Sequence, residues 1–126
     1  LIAPRRIVHR PWGDYATVLE GDGYAIKIMS IKPRSRLSMQ RHKYRQEHWT
    51  VLSGRADVWI DLNSYSNIVL SPGHSINIDP GEWHRLANLD ETQTLEVLEI
   101  QRGDILDESD IERIADDYGR VVEVWK

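Results

Sequence analysis

Turn signals recur about every ten residues through the middle of this 126-residue chain, and that spacing constrains the fold more than any other feature. Gly21-Asp22-Gly23, Gly54, Asn63-Ser64, Ser71-Pro72-Gly73 and Pro80-Gly81 punctuate short runs rich in β-branched and aromatic residues. The runs are Tyr24–Ile31, Trp49–Leu52, Ala56–Leu62, Ser75–Ile78, Trp83–Asn88 and Thr94–Gln101. In Ala56–Leu62 the apolar residues Ala56, Val58, Ile60 and Leu62 alternate with Asp57, Trp59 and Asp61, the period of a half-buried strand. Gly54, between two runs, reads as a hairpin turn. Many short strands at this spacing predict an all-β sandwich or barrel. The last quarter changes character: Ser109-Asp110-Ile111-Glu112 has the form of a capping box, with Ile111, Ile114 and Ala115 as an apolar stripe and Gly119 as a stop. These residues predict one short helix from about 109 to 118.

Composition narrows the function. The length suits a single domain able to bury a core without disulfide staples. The opening Leu1, rather than Met, suggests a domain cut from a longer chain. Sixteen Lys and Arg against twenty Asp and Glu leave a net charge of −4, which argues against a nucleic-acid surface but allows a local basic pocket. With no cysteine, thiolate ligands, thiol nucleophiles and disulfides are excluded. The apolar runs are too short to span a bilayer as a helix, and no leader pattern opens the chain, so a cytoplasmic protein without membrane partners is expected.

The chemistry concentrates in Gln40-Arg41-His42 and Arg45-Gln46-Glu47-His48-Trp49, with a second imidazole downstream in Gly81-Glu82-Trp83-His84. On an extended chain Gln40 and His42 share a face. His48, by parity, faces away from the face of Glu47. Two imidazoles, a carboxylate and an amide oxygen converging inside a barrel would suit Zn, Mn, Fe, Co or Ni and leave positions open for a substrate. The plainer reading is a solvated Glu and His on a surface strand.

The pattern Gln40-x-His42-x4-Glu47-x6-Gly54, followed by Gly81-x2-His84-x3-Asn88, resembles the two motifs of the cupin superfamily, with Gln40 where most members have a first His. Arg10-Pro11-Trp12-Gly13, Leu37-Ser38-Met39-Gln40, Ser53-Gly54, His84-Arg85-Leu86, Glu99-Ile100-Gln101 and Asp117-Tyr118-Gly119-Arg120 extend the likeness. Together they resemble the mannose-6-phosphate isomerase type II domain, usually the C-terminal half of a bifunctional enzyme behind a mannose-1-phosphate guanylyltransferase. The resemblance covers about Arg10 to Arg120. The Gln, His, Glu, His set is also similar to that of the type I isomerases, where it holds zinc. Three departures stand out. Lys43 and Tyr44 replace two histidines of the family's usual run of three, Arg34 stands where Gly usually follows Pro33, and Asp79-Pro80 shifts the usual proline by one.

The resemblance implies a jelly-roll barrel of cupin type (about 14–102) with a helical tail (about 105–120), forming one domain over 1–126. It implies a divalent metal, zinc first, with Mn, Co, Fe or Ni as alternatives, on Gln40, His42, Glu47 and His84. The expected reaction is the interconversion of mannose-6-phosphate and fructose-6-phosphate, a proton shuttle between C1 and C2 through an enediol. Because 126 residues match the isomerase half alone, guanylyltransferase activity is not expected. Lys27 and Glu99 lie in otherwise apolar or patterned strands and are candidates for the proton carrier; in the plainer reading Lys27 meets solvent and Glu99 pairs with a basic neighbour. Arg45, Arg85 and Arg120 are candidates for gripping the phosphate, Arg120 carried over the barrel mouth by the tail helix. Trp49 and Trp83 are expected in the core, and Trp59 on an outer face that would suit a homodimer. Two other readings stay open. One is a non-catalytic cupin module that binds a sugar phosphate or sugar nucleotide, or only dimerises. The other is a different cupin enzyme, against which the all-His ligand sets usual in dioxygenases argue.

Overall fold

The computed structural model describes residues 6–62 and 67–120. Among them there are twelve strands and no helix. The Asn63-Ser64 turn and Trp125 lie outside the described residues. One antiparallel sheet runs β1 (Ile7–Arg10), β2 (Gly13–Gly21), β3 (Tyr24–Ile31), β11 (Leu95–Gly103), β6 (Arg45–Ser53), β9 (Ser75–Ile78). The other runs β12 (Glu112–Ala115), β5 (Met39–Arg41), β10 (His84–Asn88), β7 (Ala56–Ile60), β8 (Ile68–Leu70), with β4 (Ser35–Arg36) also on β10. This is the all-β, cupin-type jelly roll that the turn spacing and the motifs imply.

The strands form where the sequence places β-branched and aromatic residues in alternation. β3 coincides with the predicted run Tyr24–Ile31. β6 buries Arg45, Glu47, Trp49 and Val51, and β11 buries Leu95, Val97, Glu99 and Gln101. The two pair with Glu99 opposite Trp49 and Gln101 opposite Glu47, so these side chains share the inner face. The apolar core lies between the sheets and includes Met29, Ile31, Trp49, Val51, Val58, Leu86, Leu95 and Val97.

Three expectations are corrected. β6 and β7 are not a hairpin: β6 pairs with β11 and β9, β7 with β10 and β8. Gly54 instead turns the chain from one sheet to the other. Its φ of +90 and the 3.0 Å that a Cβ would leave to the Thr94 carbonyl both favour glycine. Trp83 is only half-buried, with the Arg41 guanidinium 4.5 Å over its ring, whereas Trp49 is in the core. The predicted helix over 109–118 does not form; residues 112–115 are β12, an edge strand on β5. The capping residues are engaged elsewhere. The Asp110 carboxylate accepts hydrogen bonds from the amides of Lys43 and Tyr44, and Glu112 pairs with Arg41 at 2.8 Å. A stripe of little more than one turn cannot offset helix nucleation, while β5 offers an unpaired ladder.

Arg34, in the place of the family's usual glycine, has φ 56, the left-handed conformation that glycine adopts most easily. No helix long and apolar enough to cross a membrane occurs among the described residues.

Candidate metal centre and cavity

Glu47, on the inner face of β6, lies near the barrel mouth between His42, in the loop after β5, and His84, the first residue of β10. The ligand-capable atoms of these three lie within 4.8 Å of one another. His84 Nε2 is 3.1 Å and His42 Nε2 3.6 Å from Glu47 Oε1. Ligands held tetrahedrally at about 2.1 Å from a cation stand ~3.4 Å apart, so the spacing fits a small divalent ion. Gln40 lies directly opposite His84 across β5 and β10, on the same face, and lines the cavity.

Hydrogen bonds set the imidazoles for coordination. His42 Nδ1 meets the Asp110 carbonyl at 2.7 Å, and His84 Nδ1 meets the Glu82 carbonyl at 2.8 Å. A carbonyl only accepts, so each Nδ1 carries the proton and each Nε2 presents a lone pair toward Glu47. His84 Nε2 is buried without a hydrogen-bond partner. Burial is the main reason that His42 titrates low, at about 4, so its imidazole is neutral near pH 7. Burial also disfavours charge on Glu47, but the Arg45 guanidinium beside it outweighs that cost and holds the carboxyl well below its usual range. Converging lone pairs beside a buried carboxylate fit a metal better than they fit one another.

Arg45 compensates Glu47. Its guanidinium lies 2.9 Å from Glu47 Oε2 and 3.2 Å from His42 Nε2. Its backbone is held by close approach: a Cβ on Gly103 would fall 2.1 Å from the Tyr44 carbonyl oxygen, so glycine there lets β11 press against the chain entering β6.

A cleft of about 620 Å³, counted out to its open mouth, adjoins the triad. Glu99 forms part of its wall, accepting hydrogen bonds from Trp49 Nε1 (2.8 Å) and Gln101 Nε2 (2.7 Å). Burial, and then the Glu47 carboxylate, push Glu99 up to about 7. Lys27 also lines the cleft, its Nζ 4.6 Å over the Tyr15 ring. Tyr15 donates to Glu108 at 2.6 Å; burial and Glu108 raise it to about 12, so it stays protonated. Ser38 and Gln101 line the cleft, and Ser38 Oγ and Gln101 Oε1 are buried without hydrogen-bond partners.

The predicted arginines separate. Arg45 and Arg120 line the cleft. Arg120 reaches it from a turn rather than a helix, paired with Asp116 at 2.9 Å. Arg85 does not: it is buried, donates to the carbonyls of Leu37 (2.8 Å) and Ala115 (3.0 Å) and ties β12 to the barrel, on the face of β10 away from His84. Sequence reasoning missed Arg10 and Arg113, which line the cleft as well. Arg113 stands opposite Gln40 across β12 and β5. Burial, then the neighbouring Arg120, lowers its pKa, a cost that a bound anion would relieve. Reading the tail as a helix hid this placement. Lys43 and Tyr44, the departures from the family's histidine run, are exposed, Tyr44 by 47%, and neither lines the cleft. His48 faces away, bonded to Asn77.

Residues 2–116 match the family described as mannose-6-phosphate isomerase C-terminal. The alginate biosynthesis protein AlgA of Pseudomonas aeruginosa is 43% identical over 116 residues, 92% of this chain and 23% of that protein. The mannose-1-phosphate guanylyltransferase of Escherichia coli is 41% identical over 116 residues, with the same coverage of 92% and 23%. The chain thus spans about a quarter of the length of these relatives. Among solved structures, an uncharacterized Klebsiella pneumoniae protein with a double-stranded β-helix domain superposes with a TM-score of 0.69 at 17% identity, over 86% of this chain and 89% of that one.

Proposed function

Because this chain belongs to the mannose-6-phosphate isomerase C-terminal family, we propose that it interconverts mannose-6-phosphate and fructose-6-phosphate with a divalent metal, zinc first, held by Gln40, His42, Glu47 and His84. The observation that carries the reading is the convergence of two imidazole lone pairs on one buried carboxylate at the wall of a cleft lined by cations. When bound, the metal supplies Lewis acidity for the sugar's carbonyl and hydroxyl oxygens and for enediolate charge.

The chain's own residues do the rest. Glu99 is the proton carrier between C1 and C2: its carboxyl titrates near 7, so it can both take and return a proton around neutral pH. Trp49 and Gln101 hold its two oxygens in place. Lys27 stands above Tyr15 as a second proton donor or a charge for the substrate. Arg10, Arg113 and Arg120 grip the phosphate, and the more buried Arg45 adds positive charge. The non-catalytic reading drew on the altered histidine run, and Lys43 and Tyr44 stand outside the cleft. A soluble homodimer is part of the proposal.

The test is direct. The purified chain, stripped with a chelator and reloaded with zinc, manganese or cobalt, is assayed for fructose-6-phosphate formation from mannose-6-phosphate. Turnover that returns with metal supports the proposal. No turnover with any metal, alongside thermal stabilisation by the phosphosugar, would favour a binding module.

A further inference from the structure

In the tail from Glu108 to Glu112, Asp110 touches the metal triad. Asp110, 7% exposed, makes three contacts with the ligand loop across a separation of more than sixty residues. Its carbonyl accepts from His42 Nδ1 at 2.7 Å, and its carboxylate oxygens accept from the amides of Lys43 and Tyr44, each at 2.9 Å. The first contact selects the tautomer that frees Nε2; the other two clamp the backbone just after His42. Its neighbours anchor the segment on both sides: Glu108 takes Arg10 and Tyr15, and Ile111 is buried.

We propose that Asp110 is a positioning residue for the metal ligand His42: its carboxylate locks the loop and its own backbone, and its carbonyl thereby fixes the imidazole with Nε2 toward Glu47. This rests on the metal reading of the site and adds that the tail, far from the ligands in sequence, belongs to the metal's outer shell. Outer-shell partners of ligating histidines typically contribute 10–100-fold to metal affinity.

The experiment uses cobalt(II) binding, by competition with a chromophoric chelator and by the ligand-field spectrum, with Asp110→Ala, Asp110→Asn and Asp117→Asn. Asp117 ties the tail to Arg36 and does not touch the triad, so its variant controls for general loosening. Circular dichroism confirms folding, and imidazole nitrogen NMR of the metal-free chain reads the His42 tautomer. Expected are a roughly 10–100-fold weaker affinity in Asp110→Ala, with an altered spectrum and loss of the pure Nδ1–H tautomer. Asp110→Asn, whose single acceptor oxygen can hold one amide well, falls between, and Asp117→Asn binds as the parent does. A folded Asp110→Ala with parental affinity and tautomer overturns the proposal. So does an equal loss in Asp117→Asn. If Asp110→Ala does not fold, parental values in Asp110→Asn overturn it. Failure of the parent chain to bind cobalt overturns the metal reading itself, and this proposal with it.

Discussion

The strands β6 and β11 run from one chemical environment into another. Toward the mouth their inward residues are Arg45, Glu47 and Gln101; toward the far end they are Val51, Val97 and Leu95, with the cross-strand pair Glu99 and Trp49 at the boundary. Both halves obey the same alternation and are equally buried, yet only the far half supplies hydrophobic stabilisation. The mouth half buries charge, which is costly unless paired, and the pairing is incomplete: His84 Nε2, Gln101 Oε1 and Ser38 Oγ have no partner. One pair of strands thus separates stability from chemistry along its length, and that separation can be challenged end by end.

The largest effect is expected at the mouth. Glu47→Gln removes the carboxylate on which both imidazoles converge, and metal affinity is expected to fall by roughly a hundredfold or more, with isomerase activity at background. Isothermal titration with zinc measures this; near-parental affinity would place the metal elsewhere. At the other end, Leu95→Ala, at a fully buried position, is expected to cost about 2–5 kcal/mol of unfolding free energy. Zinc affinity of the folded variant should stay within about threefold of the parent. A large loss of affinity there would mean that the two halves are coupled.

Arg45→Met tests the boundary. It leaves Glu47 buried without its guanidinium, and the metal-free chain is expected to lose ~3 kcal/mol in urea denaturation. Saturating zinc should restore much of it, since the ion replaces the lost positive charge. Equal destabilisation with and without metal would assign Arg45 a packing role.

The smallest effect is on pH dependence. Glu99 titrates higher folded, at about 7, than unfolded, so its contribution is fully present below about 4.5 and is lost as pH rises through about 7. His42 runs the other way: its folded value of about 4 lies below the unfolded 6.5, so its contribution is present above 6.5 and fades as pH falls toward 4. Glu99→Gln should remove the first slope and keep the second, so metal-free stability would then rise more steeply with pH between about 4.5 and 7. An unchanged profile would falsify the raised carboxyl.

Much of this was legible in the sequence because it is local. Tyr24–Ile31 reads as a strand from its own residues, and it is β3. Glu47 and His84 stand in a motif spacing set by strand length and parity, and the barrel brings them to 3.1 Å. The tail was misread for the same reason. Ser109-Asp110-Ile111-Glu112 satisfies the local rule for a helix start, but its acids bond to residues outside that rule: Asp110 to the His42 loop and Glu112 to Arg41. Gly54 was misread as a hairpin turn because one glycine permits either a hairpin or a corner. The choice depends on whether β11 or β7 is the better partner for β6.

By itself the sequence determined an all-β body, a cysteine-free candidate ligand set drawn from His, Glu and Gln, and the family. The first two follow from composition, alternation or short spacing and the third from the resemblance of its motifs, all of which a chain carries before it folds. Only the tertiary structure decided that residues 112–115 close a sheet, that Arg113 and not Arg85 reaches the cleft, and that Asp110 holds His42. Those outcomes rest on contacts between segments far apart in sequence, where an open sheet edge and buried unpaired polar groups outweigh local propensity.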